Sequence, residues 1–161
     1  MSDRTGRPDG LQAWTELSAT VDAVRVAINR DLQAEAGLTL ADNLVLCRVA
    51  MAPGRRLRMV EIASGLNIAK SAVTKTVDRL EQRGLLDRDR DRDDRRTVYA
   101  SLTSEGQKVF EAARPSFVAS VDRHFTRHLD PAHIRARHQL QAAVLADPPD
   151  RPRRDGERRS R

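Results

Sequence analysis

Residues 59–103, MVEIASGLNIAKSAVTKTVDRLEQRGLLDRDRDRDDRRTVYASLT, decide how the rest of the chain is read. In the first half, Ile62, Ala63 and Leu66 give one short helix an apolar face. Val73, Val77 and Leu80 do the same for a second, at spacings of four and three. Leu66-Asn67-Ile68 makes the turn between them, with Asn67 at the position that must tolerate a left-handed backbone. Two helices joined this tightly form a helix-turn-helix. Gly84 follows the last periodic residue and ends the second helix.

The second half reads as a hairpin. Leu85–Arg90 and Arg96–Leu102 are expected strands, the latter marked by Thr97, Val98 and Tyr99. Asp87, Asp89 and Asp91 alternate with Arg88, Arg90 and Arg92, and a period of two puts the two charges on opposite faces. A ribbon without net charge thereby shows a cationic edge, the alternative being a merely solvated hairpin. A helix-turn-helix followed at once by a charged hairpin is a winged helix, whose default role is to read DNA.

The stretch resembles the MarR family of bacterial transcription regulators. The residues that carry the resemblance are Ala63, Leu66, Val73, Thr74, Asp78-Arg79-Leu80, Gly84-Leu85, the wing Asp93-Asp94-Arg95-Arg96, and Leu102-Thr103 with Gly106. The family's wing signature is Asp, any residue, Arg, then a strand closing in Leu-Thr-x-x-Gly. Here it is Asp94-Arg95-Arg96 through Leu102-Thr103-Ser104-Glu105-Gly106. The likeness covers roughly residues 11–146. One departure is Ala69, a poor helix cap where the family commonly has Ser or Thr.

Length and composition agree with this. The 161 residues suffice for one domain with an extension. They are 39% apolar but only 3% aromatic, so the core is expected from Leu, Val, Ile and Ala in packed helices. A net charge of +6 suits a polyanionic partner. Lysine occurs only at 70, 75 and 108. Arginine suits phosphate and base-edge contacts, although a general bias toward Arg codons explains the usage equally well. The first ten residues lack the apolar core of a signal peptide, and no stretch has the roughly 18 apolar residues of a membrane span. One cysteine excludes an intramolecular disulfide framework. A soluble cytoplasmic protein is expected.

Residues 11–35 read as a long helix. Leu11, Trp14, Leu17, Val21, Val24, Ile28 and Leu32 recur at steps of three and four, a stripe that packs either within the monomer or against a partner subunit. Gly37 stops it, and Thr39 with Asp42 three residues on is a cap for the next helix. That helix carries Leu40, Leu44, Cys47 and Met51 on one stripe, which places Cys47 in the core rather than in the exposed, electropositive setting of a reactive thiol. Ala52-Pro53-Gly54 ends it. Arg55, Arg56 and Arg58 follow in a loop, either against DNA backbone or solvated.

Thr103 caps a further long helix with Val109, Phe110, Ala113, Phe117, Val118, Val121, Phe125 and Leu129 as its apolar residues and Pro115 inside it, where a kink is expected. Asp130-Pro131 opens the last helix, with Ile134, Leu140 and Val144 facing inward. Residues 147–161, an Arg-rich tail, and residues 1–10 are expected to be disordered. The tail adds either weak attraction to DNA or simple solubility. His124 and His128 are four apart, a spacing able to chelate a metal, but no acidic or cysteine residue is obviously grouped with them. They read as interface or surface histidines, and no metal or cofactor is expected. No P-loop, GxSxG, dinucleotide fingerprint or HExxH motif occurs, so the chain is not expected to be an enzyme.

The expected fold is mainly α: a winged helix-turn-helix domain over 38–103 with long N- and C-terminal dimerisation helices, 11–35 and 103–146. That these helices interlock two protomers into a homodimer is what the resemblance implies. The expected partner is double-stranded DNA, bound at a pseudo-palindromic operator. Lys70, Ser71, Thr74 and Lys75 occupy the first exposed turn and a half of the recognition helix, placed for base edges or flanking phosphates. Arg96 is expected to enter the minor groove, oriented by Asp94, with Arg95, Arg88 and Arg90 as phosphate contacts. Asp78 would be repelled by DNA and is expected to pair with an arginine of the wing. The resemblance further implies a small anionic or phenolic effector between the dimer helices and the winged helix. The alternative function is a winged-helix interaction module that docks proteins and never reads DNA.

Overall fold

The computed structural model describes residues 10–91, 94 and 97–146. Residues 1–9 and 147–161 of the two expected disordered segments, and Arg92, Asp93, Arg95 and Arg96 of the wing, lie outside the described residues, while Gly10 is the first residue of a helix. The chain divides into two compact units, Met1–Arg127 and His128–Arg161.

In the first unit, α1 (Gly10–Ala36) is followed by α2 (Leu40–Ala50), β1 (Arg56–Arg58), α3 (Met59–Leu66), α4 (Lys70–Gln82), β2 (Leu86–Arg90), β3 (Val98–Leu102) and α5 (Ser104–His124). The strands form an antiparallel sheet in the order β1-β3-β2. This is the expected mainly α winged helix-turn-helix.

The element boundaries follow from local chemistry. Gly37 takes φ +62 at the end of α1. Thr39 and Asp42 make a reciprocal capping box at α2, 3.0 Å from the Asp42 N–H to Thr39 Oγ1 and 2.9 Å from the Thr39 N–H to Asp42 Oδ2. Asn67 sits at φ 52, ψ 45, the left-handed residue that turns α3 into α4. Gly84 at φ +69 ends α4. The Thr103 hydroxyl accepts from the Gly106 N–H at 2.9 Å and donates to the Gly84 carbonyl at 2.8 Å. It thus caps α5 and ties it to the end of α4. A Cβ at position 106 would lie 2.0 Å from the Leu85 carbonyl oxygen, so only glycine fits this close approach.

The core lies where α2, α3 and α4 meet the sheet and the start of α5. Leu38, Val45, Leu46, Val49, Ile62, Val73, Val77, Leu80 and Leu86 are fully buried there. A second cluster of Ile28, Leu32 and Leu40, with Val24, Leu44, Phe117 and Val121 against it, joins α1, α2 and α5.

Several expectations are corrected. The buried face of α2 is Leu40, Val45, Leu46 and Val49, not the Leu40–Leu44–Cys47–Met51 stripe. Cys47 is half-buried and its thiol points to the Met51 sulfur at 3.7 Å, while Met51 is 80% exposed. Both stripes satisfy helical spacing, and α3, α4 and the strands β1 and β3 pack on the other one. Arg56 and Arg58 lie in a strand, not a loop. β1 is three residues long, too short to show a period, and pairs Leu57 with Ala100 on the buried side of β3. Arg56 and Arg58 then flank Tyr99 on the outer face, with the Arg56 guanidinium 3.7 Å from the ring centroid.

The histidine reading also changes. α5 ends at His124 and residues 126–128 form a 3-10 turn, so His124 and His128 do not share one face of a continuous helix. His124 does have an acidic neighbour, which sequence separation concealed. Its Nε2 donates to Asp31 Oδ2 at 2.8 Å. Ser120 and Arg123 add bonds of 2.9 Å each to the same oxygen. Asp31, whose other oxygen faces Arg30 of α1 at 3.4 Å, thereby fastens α1 to α5. Through the bonds from His124 and Ser120, its carboxyl is held down to about 2 from an ordinary value of 3.8. α5 runs as one helix through Pro115.

The second unit contains α6 (Pro131–Ala146), opened by Asp130, whose carboxylate accepts from the His133 N–H at 2.8 Å. Ile134, Leu140 and Val144 were expected to face inward, yet they are 43%, 53% and 56% exposed, and α6 has no buried residue. A regular apolar spacing fixes a face without fixing what covers it.

Candidate nucleic-acid interface

α4 has two faces of opposite character. Val73, Thr76, Val77 and Leu80 are buried, which turns Lys70, Ser71, Thr74 and Lys75 to solvent along one exposed face at its start. Two cations and two hydroxyls on the first turn and a half suit phosphate and base-edge contact. The Thr74 hydroxyl donates to the Lys70 carbonyl at 3.0 Å, leaving its oxygen lone pairs turned outward. Ala69 stands at the N-cap with no side-chain bond, and the helix still begins there.

The back of α4 is latched to the start of α2. Arg79 donates to Asp42 Oδ1 from Nε at 3.0 Å and from Nη2 at 2.5 Å, and Asp42 is almost wholly buried. Arg83 reaches the Gly37 carbonyl at 3.1 Å. A buried carboxylate that caps one helix and holds a guanidinium from another fixes the angle between them. Nothing in the local sequence around Arg79 or Asp42 signals this pair, 37 residues apart.

β2 separates its charges as the alternation requires. Arg88 stands opposite Ala100 on the inner face of the sheet. Its guanidinium pairs with Asp78 at 2.6 Å and faces Glu81 at 3.5 Å. The wing arginine expected to neutralise Asp78 is therefore Arg88. Asp89 points the other way, accepting from Ser101 at 3.2 Å and lying 3.8 Å from Arg56. Arg90 is exposed. At the wing tip Asp94 accepts from the Thr97 hydroxyl at 2.8 Å, and its backbone N–H donates to Asp91 at 3.1 Å. The expected partnership of Asp94 with Arg96, and the contact from Arg95, lie outside the described residues.

Between wing and recognition helix is a cavity of about 340 Å³. Arg58, Lys70, Thr74, Arg88, Thr97 and Val98 are among its lining. Another, of about 360 Å³, lies between α1 and the start of α2, with Asp22, Arg25, Val26, Asn29, Leu40 and Ala41 around it. Among the described residues no group of three or more His, Cys, Asp or Glu side chains is arranged to hold a metal ion. Nor is any helix long and apolar enough to cross a membrane.

Residues 38–98, from two residues before α2 to the first residue of β3, match the model of the MarR family. Over 86 residues the chain is 40% identical to the HTH-type transcriptional repressor MdtR of Bacillus subtilis (strain 168), a match covering 50% of this chain and 56% of that protein. The chain spans about half the length of the curated relatives it matches, 56% and 45% for the first two. Among solved structures, Sco3205, a MarR family transcriptional regulator from Streptomyces coelicolor in complex with DNA, superposes with a TM-score of 0.80 at 26% identity, over 91% of this chain and 93% of that one. CouR from Rhodococcus jostii RHA1, bound to p-coumaroyl-CoA, superposes with a TM-score of 0.64 at 26% identity, over 82% and 90%. The helix-turn-helix and wing, residues 38–98, are those of the MarR family, and the fold around them is shared with its solved regulators.

Proposed function

We infer that this protein is a DNA-binding transcriptional regulator of the repressor type, acting in the cytoplasm. The observation that carries the reading is the amphipathic split of α4: a buried apolar face against the core and Lys70, Ser71, Thr74 and Lys75 on the open one. The likeness to a regulator seen on DNA and to a named repressor supports it. The match to a family of transcription regulators speaks for regulation and against catalysis.

In this reading α4 enters the major groove with Lys70, Ser71, Thr74 and Lys75 foremost. The wing reaches the neighbouring minor groove, where Arg96 is held by the negative potential of a narrow A·T-rich segment and Asp94 orients it. Arg90 and Arg95 serve the flanking phosphates. The exposed apolar stripe of Leu11, Trp14, Leu17 and Val21 supports a homodimer, and two-fold symmetry then asks for two half-sites about one helical turn apart. A small anionic or phenolic effector is supported by the ligand in CouR and by the cavity between α1 and α2, where Arg25 supplies a cation beside Val26 and Leu40.

The test is binding to a duplex that the protein itself selects from a random-sequence pool, compared with an unselected duplex of equal length, across salt concentrations. Expected are a preference for the selected duplex and an affinity falling steeply with salt. Arg96→Ala weakens the binding by about 1–3 kcal/mol and flattens the salt slope by about one unit. Equal, salt-insensitive binding of both duplexes overturns the reading in favour of a protein-docking module.

A further inference from the structure

We propose that Arg88 is a positioning residue that sets the angle between wing and recognition helix, and that it does not itself contact phosphate. The proposal rests on the DNA-binding reading for its functional consequence, and on geometry for the rest.

Arg88 engages three residues of α4. Its Nη2 meets Asp78 Oδ1 at 2.6 Å and the Thr74 carbonyl at 3.1 Å, and its Nε faces Glu81 Oε2 at 3.5 Å. Residues 74, 78 and 81 are steps of four and three, so one guanidinium spans two turns along a single face of the helix. The planar fork of arginine suits this, because its donors point in fixed directions. The side chain is only 26% exposed, whereas Arg90, two residues on in the same strand, is open to solvent.

The charge balance points the same way. Two carboxylates face one guanidinium, so the cluster is net negative and has no cation left to exchange for the counterions of a phosphate. The acids are best explained as anchors. Asp78 and Glu81 would repel DNA if left alone, and Arg88 cancels part of that repulsion while holding β2 to α4. Thr74 lies at the end of the same stripe, beside Lys70 in the cavity between helix and wing. Fixing β2 there fixes the distance between the side chains of the major groove and the tip that enters the minor groove.

Two contrasting full-length variants separate positioning from phosphate binding: Arg88→Ala, and the doubly neutralised Asp78→Asn/Glu81→Gln. Both are measured against the selected duplex over a range of salt, with Arg90→Ala as the comparator for a phosphate-binding residue. Positioning predicts that Arg88→Ala weakens specific affinity by about tenfold to a hundredfold, the scale of one misplaced base-reading side chain, with an unchanged salt slope. It also predicts that the neutralised variant binds more weakly, although it carries two fewer negative charges per protomer. A phosphate role for Arg88 predicts the reverse: a slope flattened by about one unit per protomer in Arg88→Ala, and tighter, more salt-sensitive binding once the acids are gone. Either result overturns the proposal.

Amide hydrogen exchange on the DNA-free protein gives an independent arm. Faster exchange across β2 and β3 in both variants, with the core of α2 and α4 unchanged, is expected. Unchanged exchange in the two strands overturns the positioning role. If wild-type protein binds no DNA, the functional reading fails, and the exchange arm still decides what Arg88 does.

Discussion

The winged helix and the first half of α1 carry equally regular apolar spacing and dispose of it in opposite ways. In the winged helix Val45, Leu46, Val49, Ile62, Val73, Val77 and Leu80 are all at 0% exposure. In α1 the four positions Leu11, Trp14, Leu17 and Val21 are between 48% and 73% exposed, and only from Val24 onward does the stripe meet α5 and α2. Periodicity thus says which face of a helix is apolar, and packing within the chain settles what covers it for one region only. The winged helix is self-sufficient. The front of α1 has its apolar surface still to bury, and a second copy of the chain is the proposed cover.

The sharpest way to test the first half of that contrast is to hollow the core. Leu80→Ala, in the last turn of α4 and fully buried, is expected to cost about 2–5 kcal/mol through lost transfer energy and a residual cavity. Denaturant unfolding reads it directly. A cost below about 1 kcal/mol would mean that α4 is held by its polar latch to Asp42 rather than by the core.

The second half breaks differently. Val21→Glu places a charge in the exposed stripe without touching a core residue, so the unfolding of the winged helix should barely change. Its effect is on assembly: a dimer at micromolar concentration for the wild type, and monomer or aggregate for the variant, by sedimentation. A burial loss of one apolar side chain, roughly 1.5–3 kcal/mol, corresponds to at least tenfold in the dissociation constant. A well-folded wild-type monomer would remove the homodimer and the palindromic operator together.

What was legible in the sequence divides along similar lines. Asn67, Gly84, Thr39 and Thr103 announce boundaries because each acts on backbone groups within three or four residues of itself. β1 was missed because three residues show no period, and it exists only through its pairing with β3. The buried side of α2 was misjudged because Leu44, Cys47 and Met51 have the same spacing as the true core face, and only the elements that pack there choose between them. In the candidate interface, the repulsion of a carboxylate facing DNA correctly foretold that a wing arginine meets Asp78. It did not foretell that this arginine, Arg88, is then engaged on α4. The Asp31–Ser120–His124 cluster spans some ninety residues of sequence, beyond the reach of any local pattern.

That cluster marks where the exposed front of α1 gives way to its anchored end, and acid probes it. Because the Asp31 carboxyl is lowered in the folded protein to about 2, its contribution to stability is complete above about 3.8 and is lost as pH falls toward 2. Asp31→Asn removes the ionised partner at every pH. The stability difference between wild type and variant should therefore be constant from neutral pH to about 4 and shrink between 4 and 2. A difference that persists undiminished at pH 2 would show that the bonds from Ser120, Arg123 and His124 do not depend on the charge.

The smallest effect concerns the two helix starts that flank the core. At α2 the Thr39 hydroxyl and the Asp42 carboxylate satisfy each other's backbone N–H groups, while at α4 Ala69 offers only its carbonyl, to the N–H groups of Ala72 at 3.0 Å and Val73 at 3.2 Å. Ala69 already has the extended backbone of a good cap, φ −61 and ψ 143, so a serine there needs no rearrangement to present its oxygen. Ala69→Ser is expected to stabilise the protein by about 0.5–1 kcal/mol, the lower part of the range for an N-cap exchange. For a chain of this size that is a rise of roughly 1–4 °C in the thermal midpoint. Thr39→Ala should move it the other way by a similar or larger amount, because the Asp42 N–H loses its acceptor and Arg79 loses the same hydroxyl at 3.4 Å, while the backbone N–H of residue 39 keeps its bond to the Asp42 carboxylate. If Ala69→Ser leaves the midpoint where it was, the first turn of α4 is already fully solvated at its exposed face, and the missing cap costs the free protein nothing.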